Sequence, residues 1–256
     1  MQIYQTVPYR QEENNQPDPF LTPYLIEGDK NPCALIFPGG AYHGLAQHEG
    51  RDYALWFNSI GMSAFVLHYR VYPYAYPCQL LDAQRAVKFI KANAKDFHID
   101  KEKIIMIGSS AGGHLAGMAN CFVSQPEKTG DPVDEEDSSV AGLILCYPVV
   151  SLTDYAHEGT ASALCGEDMA LREKLCVHKA AKANMPPLFI WHTMEDSTVD
   201  VRNTLLLVAK YRELGLPCEA HIFPHGTHGL GLAKDNATVS QWSKLCENWL
   251  KSNNWI

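Results

Sequence analysis

The sequence predicts an α/β fold with a mostly parallel central sheet and helices on both faces, and two observations carry that expectation. Six short apolar runs of strand length recur along the chain, and amphipathic helical patterns separate them. The runs are CALIF at 33–37, SAFVLH at 63–68, IIMI at 104–107, LILCY at 143–147, LFIWH at 188–192 and CEAHIF at 218–223. They show no apolar–polar alternation, the pattern expected of strands covered on both faces. Between them, Leu80, Ala83, Val87, Ile90, Ala94 and Phe97 step by three or four and form one face of a helix. Val239, Trp242, Leu245, Cys246 and Trp249 form another at the C-terminal end. Strands alternating with helices imply right-handed crossovers, hence the parallel sheet.

Two segments stand outside the alternation. SQPEKTGDPVDEEDSS, at 124–139, is polar and acidic and reads as a solvated loop. Residues 151–183 carry weak helical signal between two strands and are the only sizeable candidate to cover the top of the sheet, so the cap is expected to be small or minimal. With no linker-like stretch in 256 residues, the expectation is one domain over 1–256.

Composition narrows the function. Hydrophobic residues make up 46% and charged residues 20%, the balance of an ordinary globular protein. The formal net charge of -8, with 21 Lys and Arg spread along the chain, argues against nucleic acid and favours neutral or cationic small substrates. No segment reaches the roughly 18–20 apolar residues of a membrane span. MQIYQTVPYRQEENNQ lacks a basic region followed by an apolar run, so no membrane partner and a cytoplasmic location are expected. The eight cysteines form no CxxC pair and several lie in apolar patterns, which suits buried thiols. The oligomeric state stays open.

The strongest chemical signal is IIMIGSSAGGHLAG, in which an apolar strand runs into Gly108-Ser109-Ser110-Ala111-Gly112 and then a helix. This is a G-x-S-x-G nucleophile elbow in its required context, with Ser110, not Ser109, as the central residue. The glycines are needed because side chains two residues to either side would collide across the sharp turn. A second signal, Phe37-Pro38-Gly39-Gly40-Ala41-Tyr42, follows an earlier strand. There the Gly40 or Ala41 amide, together with the Ala111 amide, is placed to form an oxyanion hole.

A serine nucleophile needs a base and an orienter, expected in the chain order Ser, Asp, His. After LFIWH the candidates are Asp196, with Glu195 and Asp200 as competitors; after CEAHIF they are His228, with His225 as competitor. His221, His225 and His228 lie close in sequence but lack the fixed spacing of a ligand set, so no metal is expected.

With these pieces in hand, the sequence resembles bacterial acetyl esterases and acetyl xylan esterase-like members of the α/β-hydrolase superfamily over roughly residues 33–250. The matching stretches are FPGGAYHGLAQHEG, FVLHYRVYPYAYP, the helix start at Asp82–Val87, IGSSAGGHLAG, PPLFIWHTMEDSTVD and HIFPHGTHGLGLA. The resemblance implies the α/β-hydrolase fold. Its H-x-x-x-D-x-x-V pattern puts the acid on Asp196, and G-x-H-G-L puts the base on His228. Pro38 stands where many relatives have histidine, and Asp200 where most have proline, which leaves a contribution of Asp200 to the site open.

The implied activity is serine esterase hydrolysis of short acyl esters, including O-acetyl groups of xylo-oligosaccharides, through Ser110, His228 and Asp196 and without a cofactor. An amide-cleaving relative, an arylformamidase or a small peptidase, shares the same constellation. A non-catalytic binding module would need no intact triad.

Overall fold

The structure is a computed structural model and describes residues 1–122 and 131–256. Its sheet contains β1 (Phe20–Tyr24), β2 (Asn31–Phe37), β3 (Ser63–His68), β4 (Ile99–Ser109), β5 (Gly142–Cys146), β6 (Leu188–Thr193) and β7 (Cys218–Phe223). The spatial order is β1-β3-β2-β4-β5-β6-β7. β1 runs antiparallel to β3, and every other pairing is parallel. The helices are α1 (Gln47–Ser59), α2 (Cys78–Ala92), α3 (Ser110–Cys121), α4 (Glu158–Cys165), α5 (Met169–Lys174), α6 (Val177–Ala180), α7 (Arg202–Leu214) and α8 (Gln241–Ser252).

The period of two along each inner strand builds two cores. Cys33, Leu35 and Phe37 of β2, with Ile104 and Met106 of β4, pack on one side with α2, α3 and α7. Ala34 and Ile36, with Ile105 and Ile107, pack on the other with Tyr53, Ala54 and Phe57 of α1 and Trp242, Cys246 and Trp249 of α8. Central strands therefore have no polar face to show, which is why their sequences run apolar without alternation. β7 departs from that pattern. It is an edge strand in which Cys218 and Ala220 are exposed and the other four residues are only partly buried. CEAHIF is not covered on both faces.

β1 and the first half of β4 were not legible as strands. β1, FLTPY, carries Pro23, which an edge strand tolerates because its outer amides need no partner. Residues 100–103 of β4 are all charged, Asp100-Lys101-Glu102-Lys103. The acidic stretch at 124–139 also differs from a plain solvated loop where it is described. Residues 123–130 lie outside the described residues, but Asp131 begins a 3-10 turn at Pro132–Glu135 and both Asp131 and Asp134 pair with Arg85 of α2.

The segment 151–183 folds as α4, α5 and α6. His157 and Asp168 each accept a first-turn amide hydrogen bond, from Thr160 and Leu171, and so cap α4 and α5. Its apolar residues Leu152, Ala161, Leu164, Leu175, Cys176 and Val177 join the main core.

Asp82, in the matched helix start, has a structural task. It receives Arg70 in a two-pronged pair, Nε to Oδ2 at 2.9 Å and Nη2 to Oδ1 at 2.6 Å, with both side chains buried. Removing one partner strands a buried charge. Asp82→Ala is expected to lower stability by about 3–5 kcal/mol, measured as a fall in the denaturant midpoint.

Parallel strands deliver their loops to one edge of the sheet. The registers Phe37↔Gly108, Ser109↔Cys146, Cys146↔Trp191 and Thr193↔Phe223 line up the carboxyl ends of β2, β4, β5, β6 and β7. A crevice outside those ends is where open α/β sheets bind ligands.

Candidate active site

β4 ends at Ser109 and α3 begins at Ser110, with nothing between them. So abrupt a turn puts Ser110 at φ 52°, in the left-handed region. A Cβ on Gly108 would lie 2.2 Å from Gly112 O, and one on Gly112 would lie 2.0 Å from Phe37 O. Glycine alone fits at either position. The two serines diverge: Ser109 Oγ is buried 3.0 Å from Tyr53 Oη, while Ser110 remains 8% exposed at the edge of the sheet.

Ser110 Oγ lies 2.8 Å from His228 Nε2, and His228 Nδ1 lies 2.6 Å from Asp196 Oδ2. An ionised carboxylate only accepts, so Nδ1 carries the proton and Nε2 is left to accept from the serine hydroxyl. Asp196 Oδ1 accepts the amides of Thr198 and Val199, each at 2.9 Å. Burial alone would raise the Asp196 pKa, but the hydrogen bonds from His192, His228 and Val199 outweigh it and hold the carboxyl well below the usual range.

The competing residues lie elsewhere. His225 is exposed and pairs with Glu195, 2.7 Å away. His221 pairs with Glu219 at 2.9 Å. Asp200, which the sequence left open, is taken up by Arg202, accepting its amide at 2.9 Å and its Nε at 2.8 Å. Arg202 also lies over the Tyr155 ring, 3.8 Å from its centroid. Among the described residues no group of three or more His, Cys, Asp or Glu is arranged to hold a metal ion.

The loop after β2 runs beside the nucleophile. A Cβ on Gly39 would lie 3.0 Å from Ser110 Cβ. The next three residues all have positive φ: Gly40 at 132°, Ala41 at 54° and Tyr42 at 59°. Gly39 N–H donates to Glu49 Oε2 at 2.7 Å, whereas the Gly40 and Ala41 amides have no acceptor among the described residues. Two amides without an acceptor among the described residues thus lie in the loop beside the serine, and Ala111 lies in the first turn of α3.

Other polar groups at the site escaped sequence reasoning. His192, buried in β6, places Nε2 2.9 Å from Val199 O and 3.2 Å from Asp196 Oδ2, and Nδ1 2.8 Å from Thr204 Oγ1. It is the first residue of the H-x-x-x-D-x-x-V pattern, which was its only signal. His157, ahead of α4, feels the charges of His228 and Asp196; burial first, then His228, lowers its pKa. His114, buried in α3, is linked to Tyr42 Oη at 2.9 Å and Leu175 O at 3.0 Å, its pKa pushed down to about 4 by burial against the latter bond.

A seven-stranded, mostly parallel sheet with a serine elbow at the end of its central strand is the architecture of an α/β-hydrolase. The chain belongs to the BD-FAE family, whose model matches residues 23–211. It is 44% identical to an acetyl ester-xyloside bifunctional hydrolase from Caldicellulosiruptor lactoaceticus, whose crystal structure superposes with a TM-score of 0.96 over 100% of this chain and 96% of that one. Endo-1,4-beta-xylanase B of Butyrivibrio fibrisolvens is 36% identical over 248 residues, covering 94% of this chain and 39% of the relative. Acetylxylan esterase of Xylanibacter ruminicola is 27% identical over 237 residues, 90% of this chain and 47% of the relative. The chain thus spans less than half the length of these two sequence relatives. No helix among the described residues is long and apolar enough to cross a membrane.

Proposed function

We propose that the chain is a serine carboxylic ester hydrolase acting on short acyl esters, acetyl foremost, with Ser110 as nucleophile, His228 as base and Asp196 as its orienter. The observation that carries this reading is the hydrogen-bonded series Ser110 Oγ, His228, Asp196 at 2.8 and 2.6 Å. Ser110 Oγ attacks the ester carbonyl carbon as His228 Nε2 takes its proton. The Gly40 or Ala41 amide and the Ala111 amide receive the oxyanion. Collapse expels the alcohol, which takes the proton back from His228, and leaves the acyl group on Ser110. Water, deprotonated by His228, then attacks the acyl-enzyme; Ser110 Oγ leaves with the proton from His228, the carboxylic acid is released and the resting triad is restored. The Asp196 carboxylate balances the imidazolium charge in both halves.

The acyl preference follows from where the apolar side chains of the cap segment go. Leu152, Ala161, Leu164, Leu175 and Val177 are buried in the main core. They are not free to wall a tunnel, and each methylene contributes its roughly 0.8 kcal/mol only where walls exclude water. The names of the relatives, an acetylxylan esterase and an acetyl ester-xyloside hydrolase, support acetylated xylo-oligosaccharides as the substrate class. Because the similarity covers 39% of the xylanase, the glycosidic activity in that name is not carried over.

The test is a hydrolysis series of aryl esters from two to ten acyl carbons, run beside acetylated xylo-oligosaccharides and N-formylkynurenine. We expect kcat/KM to be highest for acetyl or propionyl and to fall beyond about four carbons. A maximum at eight carbons or longer would overturn the acyl assignment, and a dominant rate on the formamide would move the reading to amide cleavage.

A further inference from the structure

Behind the oxyanion loop a second carboxylate is buried, and the mechanism above gives it no part. Glu49 lies in the first turn of α1 and is 2% exposed. Its Oε2 accepts Gly39 N–H at 2.7 Å, and its Oε1 accepts the Tyr147 hydroxyl at 2.6 Å. Tyr147 Oη in turn accepts Gly231 N–H at 2.9 Å, and its ring meets that of His228 edge-on with centroids 5.1 Å apart. Gly231 O accepts Trp242 Nε1–H at 3.0 Å, so both polar groups of that glycine are held. The neighbouring His48 places Nε2 2.9 Å from Gly229 O, a residue 181 positions away in the chain.

The first turn of α1 therefore grips two loops, one after β2 and one that carries His228. A Cβ on Gly39 would lie 2.7 Å from Glu49 Oε2, 2.9 Å from Ser109 O and 3.0 Å from Ser110 Cβ, so the glycine leaves no room for a side chain between the carboxylate and the elbow. Tyr147 is held at φ 37°, a conformation that non-glycine residues keep only where their surroundings impose it. Glu49 is the acceptor for two buried donors, the Gly39 N–H and the Tyr147 hydroxyl, and an apolar side chain would leave both unsatisfied.

We propose that Glu49 is a positioning residue that acts through the Gly39 amide and through Tyr147, fixing the oxyanion loop against the loop that carries His228. Its effect falls on turnover and not on ester binding. The proposal rests on the ester-hydrolase reading, and the test separates the two.

The purified full chain and its Glu49→Gln, Tyr147→Phe, double and Ser110→Ala variants are assayed with p-nitrophenyl acetate. Rates are expressed per serine titrated by a fluorophosphonate, except for Ser110→Ala, which is compared per mole of protein. Small misplacements of reacting groups cost up to about 100-fold, so Glu49→Gln should lower kcat about 10- to 100-fold and Tyr147→Phe about 10-fold, each with KM within about threefold. The double variant should be no worse than about the poorer single one, because both break the same link. The proposal is overturned if kcat stays within about twofold in both single variants, if the two losses multiply, or if only KM rises. If Glu49→Gln does not fold, Tyr147→Phe, which keeps the ring against His228, decides on its own kcat. Ser110→Ala at the wild-type rate would sink the hydrolase reading itself; Ser110→Ala inactive beside fully active Glu49 and Tyr147 variants would sink only the positioning.

Discussion

Ser110→Ala is expected to lower kcat by about 10⁴-fold or more, while Ser109→Ala costs far less. The two hydroxyls belong to adjacent residues with opposite surroundings. Ser110 Oγ faces His228 Nε2 at 2.8 Å, on the side of the turn where the strand ends open. Ser109 Oγ points into the body of the protein toward Tyr53, and its loss removes one buried hydrogen bond, about 1 kcal/mol of stability. Steady-state kinetics on an acetyl ester, with fluorophosphonate labelling as a second readout, separate the roles: labelling should vanish in the Ser110 variant and persist in the Ser109 variant. Equal loss of turnover in both would overturn the assignment of the nucleophile.

The sequence made this pair distinguishable because the elbow is a local device. Its glycines are dictated by contacts within the pentapeptide and with Phe37, so spacing alone marks the centre. The apolar runs were equally readable wherever a strand is buried on both faces, as in β2 to β6. Legibility fell where a strand has an open side. β1 carries a proline and β4 carries four charged residues at 100–103, so neither stretch looks like an interior strand. β7 was found by its apolar residues, but its edge position was not.

Asp196 and His228 were separable from Glu195, Asp200 and His225 only with the help of the resemblance, because loop residues carry no periodicity. In space Glu195 and His225 pair with each other at the surface and Asp200 pairs with Arg202. Glu49 falls in the matched stretch FPGGAYHGLAQHEG and Tyr147 ends the apolar run LILCY, but neither carried a sign of its role. The bonds that join them span 98 positions and, to Gly231, another 84, and contacts at such separations are fixed by topology.

Asp196→Asn is expected to lower kcat by about 10⁴-fold while the fold persists, and the surroundings of this side chain dictate why. Its Oδ1 accepts the Thr198 and Val199 amides, so an asparagine must keep its carbonyl oxygen there. The amide nitrogen is then forced into the Oδ2 position, which faces His228 Nδ1 at 2.6 Å and His192 Nε2 at 3.2 Å. Meeting a donor, His228 Nδ1 can only accept, so the ring's proton moves to Nε2 and points at Ser110. In that tautomer the imidazole cannot take the serine's proton. His192 retains Val199 O as its acceptor, so the damage to stability is modest by comparison. The Asp196 pKa is depressed in the folded chain, so its contribution to stability is fully present above the ordinary carboxylate range and is lost as pH falls. The asparagine variant should therefore show a shallower acid destabilisation. His228→Ala should match Ser110→Ala in its loss of turnover, whereas His225→Ala, which removes only an exposed pair with Glu195, should stay within a few-fold of wild type, a small change by comparison. Kinetics of the four variants Asp196→Asn, Asp200→Asn, His228→Ala and His225→Ala on one acetyl ester decide the matter. If Asp200→Asn costs more than Asp196→Asn, or His225→Ala more than His228→Ala, the acid or the base has been misassigned.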